Sequence, residues 1–551
     1  TTTWTRQGFS LLAQEIDGVV GHTVTCPQDL RSQEQRRFFP RMMSSTDFDQ
    51  WHLTFYFDLR PFVKWNAIYG LLMTLCVLIL LILGSLMFSH DANRLVLNPV
   101  EKMIKRVQII RENPIMAMKM ADEEFKAEEI AKAKQRRQNK EVLRKMCKDL
   151  VTCKLWTSEA QEPMETVILE KSIIKLGSLL ALGFGEAGAN IISHNMKGDD
   201  SAGVDAMVPG TSVECIIGVA RLQDFSTATE VLQAKIMTFV NQVAEIIHGV
   251  ANEYHGAPNQ NSGESFLLIW RIGVSHKHHE LTGHNRELAS RYADLSVVAF
   301  CKIFGSLHRS PTLAQYRYHP GLQYRLGKGY RVSMSFGLHA GWAIEGAVGS
   351  DYKIDASYLS PNVSIAQNVE LSTKIYGVAL MVADSVVRLC SRDLVAKYRL
   401  IDHVKIRGAR NPMELYCVDL DYRSVTVERS QTTQLTWNTR NRFKARQFIE
   451  QVKAANLRPE LGIAQDFNDD PTISTMRRRY TTEFFQLFSM GYQNYSEGEW
   501  QVARRMLACT RALLGVEDGP SAALLNFMEE PYQFEAPKGW QGHRVLELGS
   551  G

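Results

Sequence analysis

The chain has 551 residues, of which 45% are apolar and 22% are charged, and its formal net charge is +4. A chain of this length predicts roughly three or four globular units, and the apolar content is ample for packed cores. The small net charge argues against a nucleic-acid partner, because no dense basic face stands out from the average composition. The nine cysteines form no CxxC pair, which favours reduced thiols over a disulfide framework or a zinc site.

The first strong signal is an apolar run. Residues 67–88, AIYGLLMTLCVLILLILGSLMF, carry no charge and are long enough to span a hydrocarbon core of about 30 Å. They predict a transmembrane helix over 65–90 in contact with membrane lipid. More Lys and Arg follow the run than precede it, so the positive-inside rule places the C-terminal side in the cytosol, or on the equivalent inner side of an organelle membrane. Residues 1–64 are then an extra-membrane segment, expected to be incomplete because the chain begins with Thr.

Two connecting segments come next. Residues 91–160 contain a proline at a helix start, apolar residues at helical spacing and a stretch dense in Lys, Arg, Glu and Ala, which together predict a long helical linker. A solvated single helix and a two-helix signalling linker that dimerises both fit this pattern. Residues 161–210 form a connector to the next domain.

Three local motifs resemble ligand sites but lack the required context. The run 182–192 matches GxGxxG, yet a helix-like segment precedes it and no acidic residue stands at the right spacing. The run 321–329 has one residue too many for a P-loop and a glycine where Ser or Thr should bind magnesium. The histidines of 276–284 are irregularly spaced, which favours a solvated loop over a zinc site.

Residues 211–421 alternate between strand-like and helix-like patterns and predict one α/β domain. The predicted strands are 213–220, 265–272, 331–341, a hairpin partner near Ala347, and 378–382, 398–405 and 413–419; the predicted helices are 229–254, 287–306 and 364–375. The first strand runs directly into Arg221. A helix start follows it, with Asp224 as the expected N-cap.

Five motifs follow one another in this domain: GVARLQDFSTATE, TFVNQVAEIIHGV, NSGESFLLIW, SFGLHAGWAIEGAVGS and DASYLSPNVSIAQNVELSTKIYG. In this order they resemble the motifs of a class III nucleotide cyclase, of the membrane-anchored kind found in protists. It implies an α/β (α+β) cyclase-homology domain over 211–421, after one transmembrane helix and a long helical linker. Residues 422–551 resemble the helical tail, with a helix hairpin, that often follows such domains.

The resemblance also implies a chemistry. In the family, two aspartates bind two magnesium ions that activate the ribose hydroxyl and the triphosphate of ATP or GTP. An asparagine and an arginine on a later helix orient the ribose and stabilise the developing charge, and a lysine recognises the base. The family acts as a dimer whose sites combine groups from both protomers.

The carried-over positions all differ from that pattern. The metal aspartates correspond to Arg221 and Glu264, the base-reading lysine to Gln260, the asparagine to Ser364 and the arginine to Asn368. A guanidinium cannot coordinate magnesium, so neither a metal nor a cofactor is expected. We expect Arg221 to pair with Glu264 across the former metal position instead.

An intact partner would not complete either composite site, because this chain lacks both the aspartates and the asparagine–arginine pair. The sequence therefore favours a membrane-anchored pseudocyclase with a regulatory or structural role. Its expected partner is a second cyclase-homology chain or a larger membrane complex. Two alternatives stay open: an active adenylate or guanylate cyclase that uses magnesium and ATP or GTP, and a metal-free nucleotide sensor in which Arg221 replaces the metal charge.

Overall fold

The computed structural model describes residues 30–38, 46, 55–112, parts of 116–134 and of 168–188, and residues 209–274, 283–350, 353–428, 450–456 and 463–546. The chain divides into two compact units, Thr1–Met103 and Ile104–Gly551.

The strands are β1 Gln35–Phe38, β2 Phe55–Asp58, β3 Thr211–Leu222, β4 Ala257–Ser262, β5 Ser265–Val274, β6 Met334–Ser350, β7 Lys353–Leu359, β8 Leu380–Ala383, β9 Arg399–Lys405, β10 Met413–Cys417 and β11 Arg544–Val545. The α-helices are α1 Arg60–Ala92, α2 Asn98–Glu112, α3 Phe225–Leu232, α4 Ile236–Glu253, α5 Gly283–Arg309, α6 Pro311–Ala314, α7 Pro320–Leu326, α8 Pro361–Tyr376, α9 Asp384–Val387, α10 Arg392–Val395, α11 Ile463–Asp469, α12 Pro471–Arg477, α13 Thr482–Glu497, α14 Trp500–Leu513 and α15 Gly519–Glu529. A π-helix covers Asn93–Leu97, and 3₁₀ turns cover Gln233–Lys235, Gln315–Tyr318 and Tyr422–Ser424.

The first unit contains the predicted apolar helix. Strands β1 and β2 pair antiparallel, and α1 begins with a proline in its first turn, where a missing N–H costs nothing. The most apolar 18-residue window within Phe62–Ala92 of α1 has a mean hydropathy of 2.8, and none of this window is buried. Among the described residues, this is the one helix long and apolar enough to cross a membrane.

The second unit is built on a nine-stranded sheet in the order β11-β9-β10-β8-β6-β3-β5-β4, with β7 paired to β6. Most pairs are antiparallel; β6 with β8 and β9 with β11 are parallel. Strand β3 lies at the centre, and its run Cys215–Ala220 is fully buried, as a strand covered on both faces requires. Its even-numbered residues pack in the core that includes α4 and α5, and its odd-numbered residues pack in a core that includes Ala366 of α8.

Two predicted boundaries were wrong. Strand β6 continues through Ala347, which pairs with Ala356 of β7, so the hairpin partner is Lys353–Leu359 and not a strand near Ala347. The predicted helix 229–254 is interrupted at Gln233, whose φ of +48° ends α3 before α4 begins. A positive φ is unusual for a glutamine and is not readable from hydrophobic periodicity.

Helices α13 to α15 pack in one core with the sheet. Phe488, Tyr495 and Trp500 share a core with Tyr376 of α8 and with side chains of β8 to β10. Strand β11 adds to the sheet edge beside β9. The last described helices and the sheet therefore form one continuous hydrophobic core.

His308 makes the stability of this unit depend on pH. The ring is buried near the end of α5, stacks on Tyr422 at 4.8 Å, and its Nε2 atom has no hydrogen-bond partner. Burial, reinforced by the charges of Arg331 and Arg317, lowers the pKa of His308 from 6.5 to about 3. Between pH 6.5 and pH 3, His308 is therefore protonated in the unfolded state and neutral in the folded state. Its effect on the unfolding free energy is absent above pH 6.5, and the unfolding free energy falls as the pH drops from 6.5 toward 3.

The expected loss from this histidine between pH 7 and pH 5 is about 2 kcal/mol of unfolding free energy. Urea titrations of the full chain in detergent at both pH values measure it, with His308→Phe as the comparison. The phenylalanine variant should lose less stability on acidification than the parent. An equal loss in both proteins would contradict this assignment.

Candidate functional site

The candidate site lies where β3 ends, beside the β4–β5 hairpin. Ser262 and Ser265 pair at the tip of the hairpin, and Gly263 between them has a φ of +58°, which glycine adopts without strain. The backbone N–H of Leu222 donates to the carbonyl of Glu264 at 2.7 Å. This bond fixes the hairpin tip against the strand end and brings position 264 next to Arg221.

Arg221 binds two carboxylates. Its Nη1 donates to Oε1 of Glu264, and its Nε donates to Oε2 of Glu370 at 2.8 Å. The predicted pair of Arg221 with Glu264 is therefore confirmed. The exposed fractions of the three side chains are 20% for Arg221, 38% for Glu264 and 0% for Glu370, so the partner that sequence reasoning missed is the more deeply buried one.

Glu370 is held from its other side by the sheet. Ser335 of β6 donates its hydroxyl to Oε1 of Glu370 and accepts a hydrogen bond from Gln223. Helix α8 can lie this close to β6 because residue 337 is glycine; a Cβ there would be 2.5 Å from the backbone nitrogen of Glu370. The result is a continuous polar network inside an otherwise apolar contact.

A sequence signal for Glu370 existed. It falls among the residues of α8 that face the sheet, which include Ala366, Val369 and Thr373. A charged residue in such a stripe is rarely left buried without a partner. The pattern predicts a buried cation for Glu370 but does not say which one.

The electrostatics of the site favour a fixed cation. Burial by itself would lower the pKa of Arg221, but the hydrogen bonds and charges of Glu370 and Glu264 outweigh it and raise the pKa above its ordinary value. The guanidinium stays protonated at any pH the protein meets. It can act neither as a base nor as a metal ligand.

The remaining positions lie apart from this network. Gln260 is an exposed residue of β4. Ser364 is exposed on α8, and Asn368, one turn further on, donates to the carbonyl of Arg407 at 2.9 Å. Because Glu370 points into the sheet contact, Ser364 and Asn368 occupy a different face of the same helix.

The expectation for Asp224 needs correction. Asp224 occupies the position before α3, but its φ is +56° and its side chain makes no capping hydrogen bond. A cap requires extended backbone to direct the carboxylate at the helix N–H groups. In the left-handed conformation the Asp224 carboxylate is not directed at the N–H groups of α3.

The described residues do not fit a magnesium pair. No group of three or more His, Cys, Asp and Glu side chains that could hold a metal occurs among them. At the strand end the available carboxylates, Glu264 and Glu370, are already bound to Arg221. Most of the histidine-rich run 276–284 lies outside the described residues, and so does most of the glycine-rich run 182–192.

Curated proteins with related sequences are cyclases. The chain is 24% identical over 196 residues to adenylate cyclase 1 of Rhizobium meliloti (strain 1021), a match that covers 35% of this chain and 26% of that protein. It is 34% identical over 87 residues to an adenylate cyclase of Anabaena cylindrica, covering 16% and 17%. The chain thus spans about a quarter or less of the curated relatives it matches. These matches support a class III cyclase-like relationship.

Solved cyclase structures match the chain only at low TM-scores. A bacterial light-regulated adenylyl cyclase is 18% identical with a TM-score of 0.35, covering 55% of this chain and 77% of that chain. A guanylyl cyclase crystal structure is 14% identical with a TM-score of 0.28, covering 41% and 98%. In addition, a family model described as the RasGEFs all helical domain matches residues 59–197, which include helices α1 and α2.

Proposed function

We propose that this chain is a catalytically inactive cyclase-homology protein, anchored in a membrane through α1 and acting as a regulatory or structural subunit. The observation that carries the proposal is Arg221, bonded to both Glu264 and Glu370 at the end of β3. In the family that the motifs resemble, the corresponding position carries a metal-binding aspartate. A guanidinium there repels the two dications on which cyclisation depends.

The other family positions support the same conclusion. Ser364 and Asn368 cannot supply the cation that stabilises the transferring phosphate, and Asn368 donates to a backbone carbonyl in its own chain. Loss of one transition-state donor costs about 10²–10³ in rate. Loss of the metal ligands as well leaves no composite site that this chain could complete with an intact partner.

The proposed location follows from α1. A single apolar helix of this length can anchor a chain in a bilayer. The excess of Lys and Arg after it supports a cytosolic position for the cyclase-homology domain, or one on the inner side of an organelle membrane. A domain that keeps its packed core but not its chemistry is suited to hold another chain. A second cyclase-homology chain or a larger membrane complex is the proposed partner.

The direct test is a turnover assay. The full chain, purified in detergent with magnesium or manganese and ATP or GTP, is expected to form no cyclic nucleotide above background. The full chain is used because the helices beyond residue 422 share a core with the sheet. A turnover of about 1 s⁻¹ or more, typical of a working enzyme, would contradict the proposal.

A purified active class III cyclase assayed in parallel shows that the conditions support turnover. The same assay on an equimolar mixture of this chain and that cyclase separates a silent subunit from an activating one. Product formed faster in the mixture than by the active cyclase alone, and lost when that cyclase's own metal aspartates are removed, would support a regulatory role.

A further inference from the structure

The surface formed by Gln315–Tyr318, helix α7 and the turn after it is both basic and aromatic. Tyr318 and Tyr324 are 79% and 88% exposed, among the most exposed large side chains outside α1. Arg325 and Lys328 are exposed beside them on the chain. We call these four residues, together with Arg317, the basic-aromatic face.

The charge of this face is poorly balanced. No Asp or Glu occurs between Asp294 and Glu345, whereas six Lys or Arg residues do. Arg325 pairs with Glu230 at 2.9 Å, but both side chains are more than half exposed, so water screens the pair. Arg317 donates to the backbone carbonyl of His308. A carbonyl is uncharged, so this bond does not neutralise the charge of Arg317.

Neighbouring cations repel one another here. After burial, the charge of Arg331 is the next cause that lowers the pKa of Arg317. Among the described residues, neither arginine nor Lys328 has a carboxylate within ion-pair distance. A surface with this excess of positive charge attracts an anionic partner.

We propose that the basic-aromatic face docks on the anionic headgroups of a lipid bilayer. Exposed tyrosines favour the level of the headgroups, where the ring is in an apolar layer and the hydroxyl remains hydrated. Lysine and arginine add attraction to anionic lipid. The same chain contains α1. If α1 spans a bilayer, the chain holds the face close to that bilayer, which raises the effective concentration of lipid headgroups at the face. A nucleic-acid partner is less well matched, because three cations among two tyrosines form no continuous phosphate track.

The test uses the full chain reconstituted in nanodiscs, because α1 inserts regardless of the face. Hydrogen exchange of the peptide 315–331 is compared between discs of phosphatidylcholine alone and discs with about 30% phosphatidylserine. Slower exchange is expected only with phosphatidylserine, and it should disappear at roughly 1 M salt, where charges are screened within about 3 Å. Equal exchange in both discs would overturn the proposal.

Matched variants assign the effect to the face. Arg325→Gln with Lys328→Gln should weaken the protection by about tenfold or more, and Tyr318→Ser with Tyr324→Ser should also reduce it. Arg505→Gln with Lys538→Gln removes the same charge from exposed positions elsewhere and should leave the protection intact. If the control pair abolishes the protection equally, net charge and not this face is responsible.

A different outcome would identify a different partner. Protection by a single-stranded RNA in neutral discs, without an effect of phosphatidylserine, would overturn the lipid proposal in favour of a nucleic-acid partner. The outcome is independent of whether the domain is catalytic.

Discussion

Replacing Arg399 with methionine is expected to destabilise the unit Ile104–Gly551 by about 3–5 kcal/mol. The Arg399 side chain is only 3% exposed and binds two buried carboxylates, Asp419 and Asp518, each at 3.0 Å or less. Its guanidinium also lies over the rings of Phe484 and Phe488, at 4.9 and 4.5 Å from their centres. Methionine retains the apolar packing but leaves both carboxylates buried without their cation.

The cost comes from the stranded charges, and this can be tested by removing them. In the triple variant Arg399→Met, Asp419→Asn, Asp518→Asn no charge is left uncompensated, so most of the lost stability should return. Asparagine at 518 also retains the ability to cap α15, where Asp518 accepts from the backbone of Ser521 at 3.0 Å. Unfolding free energies come from urea titration of the full chain in detergent, followed by tryptophan fluorescence.

The exposed pair of Arg511 with Glu517 provides the comparison, because Glu517 directly precedes Asp518 in the chain. Its side chains are 47% and 59% exposed, so Glu517→Gln should change stability by less than about 1 kcal/mol. If Arg399→Met has as small an effect as Glu517→Gln, the buried cluster does not couple the helices to the sheet.

What the sequence predicted well was local. The central strand was visible because a strand covered on both faces must be a continuous apolar run, and 213–220 is such a run. The pairing of Arg221 with Glu264, which are 43 positions apart, could be predicted because the family resemblance implies that these two positions stand side by side. In both cases a short motif carries the information.

The missed features were long-range. Glu370 lies 149 positions from Arg221, and Asp518 lies 119 positions from Arg399. Periodicity shows that a helix has a buried face, but it does not show which strand that face meets. Nor could it show that the helices beyond residue 422 share the core of the sheet, because amphipathic helices have the same pattern whether they pack on a sheet or on one another.

The arrangement at Arg221 predicts unequal importance for its two partners. Glu264 is 38% exposed, so when it loses Arg221 it can turn to water. Glu370 is fully buried and would retain only the hydroxyl of Ser335. The loss of one charge from a buried pair costs far more than the loss of an exposed one, because the remaining charge cannot be rehydrated.

Arg221→Met is therefore expected to lower the unfolding free energy by about 3–5 kcal/mol, and Glu264→Gln by no more than about 1 kcal/mol. Adding Glu370→Gln to Arg221→Met should restore most of the loss, since a neutral amide needs no cation and can still accept from Ser335. Adding Glu264→Gln to Arg221→Met should restore little. Urea titration of the four variants and the parent in detergent measures all of these differences. If the double variant with Glu264→Gln recovers more than the one with Glu370→Gln, Arg221 is held mainly by the hairpin and the role assigned to the helix is wrong.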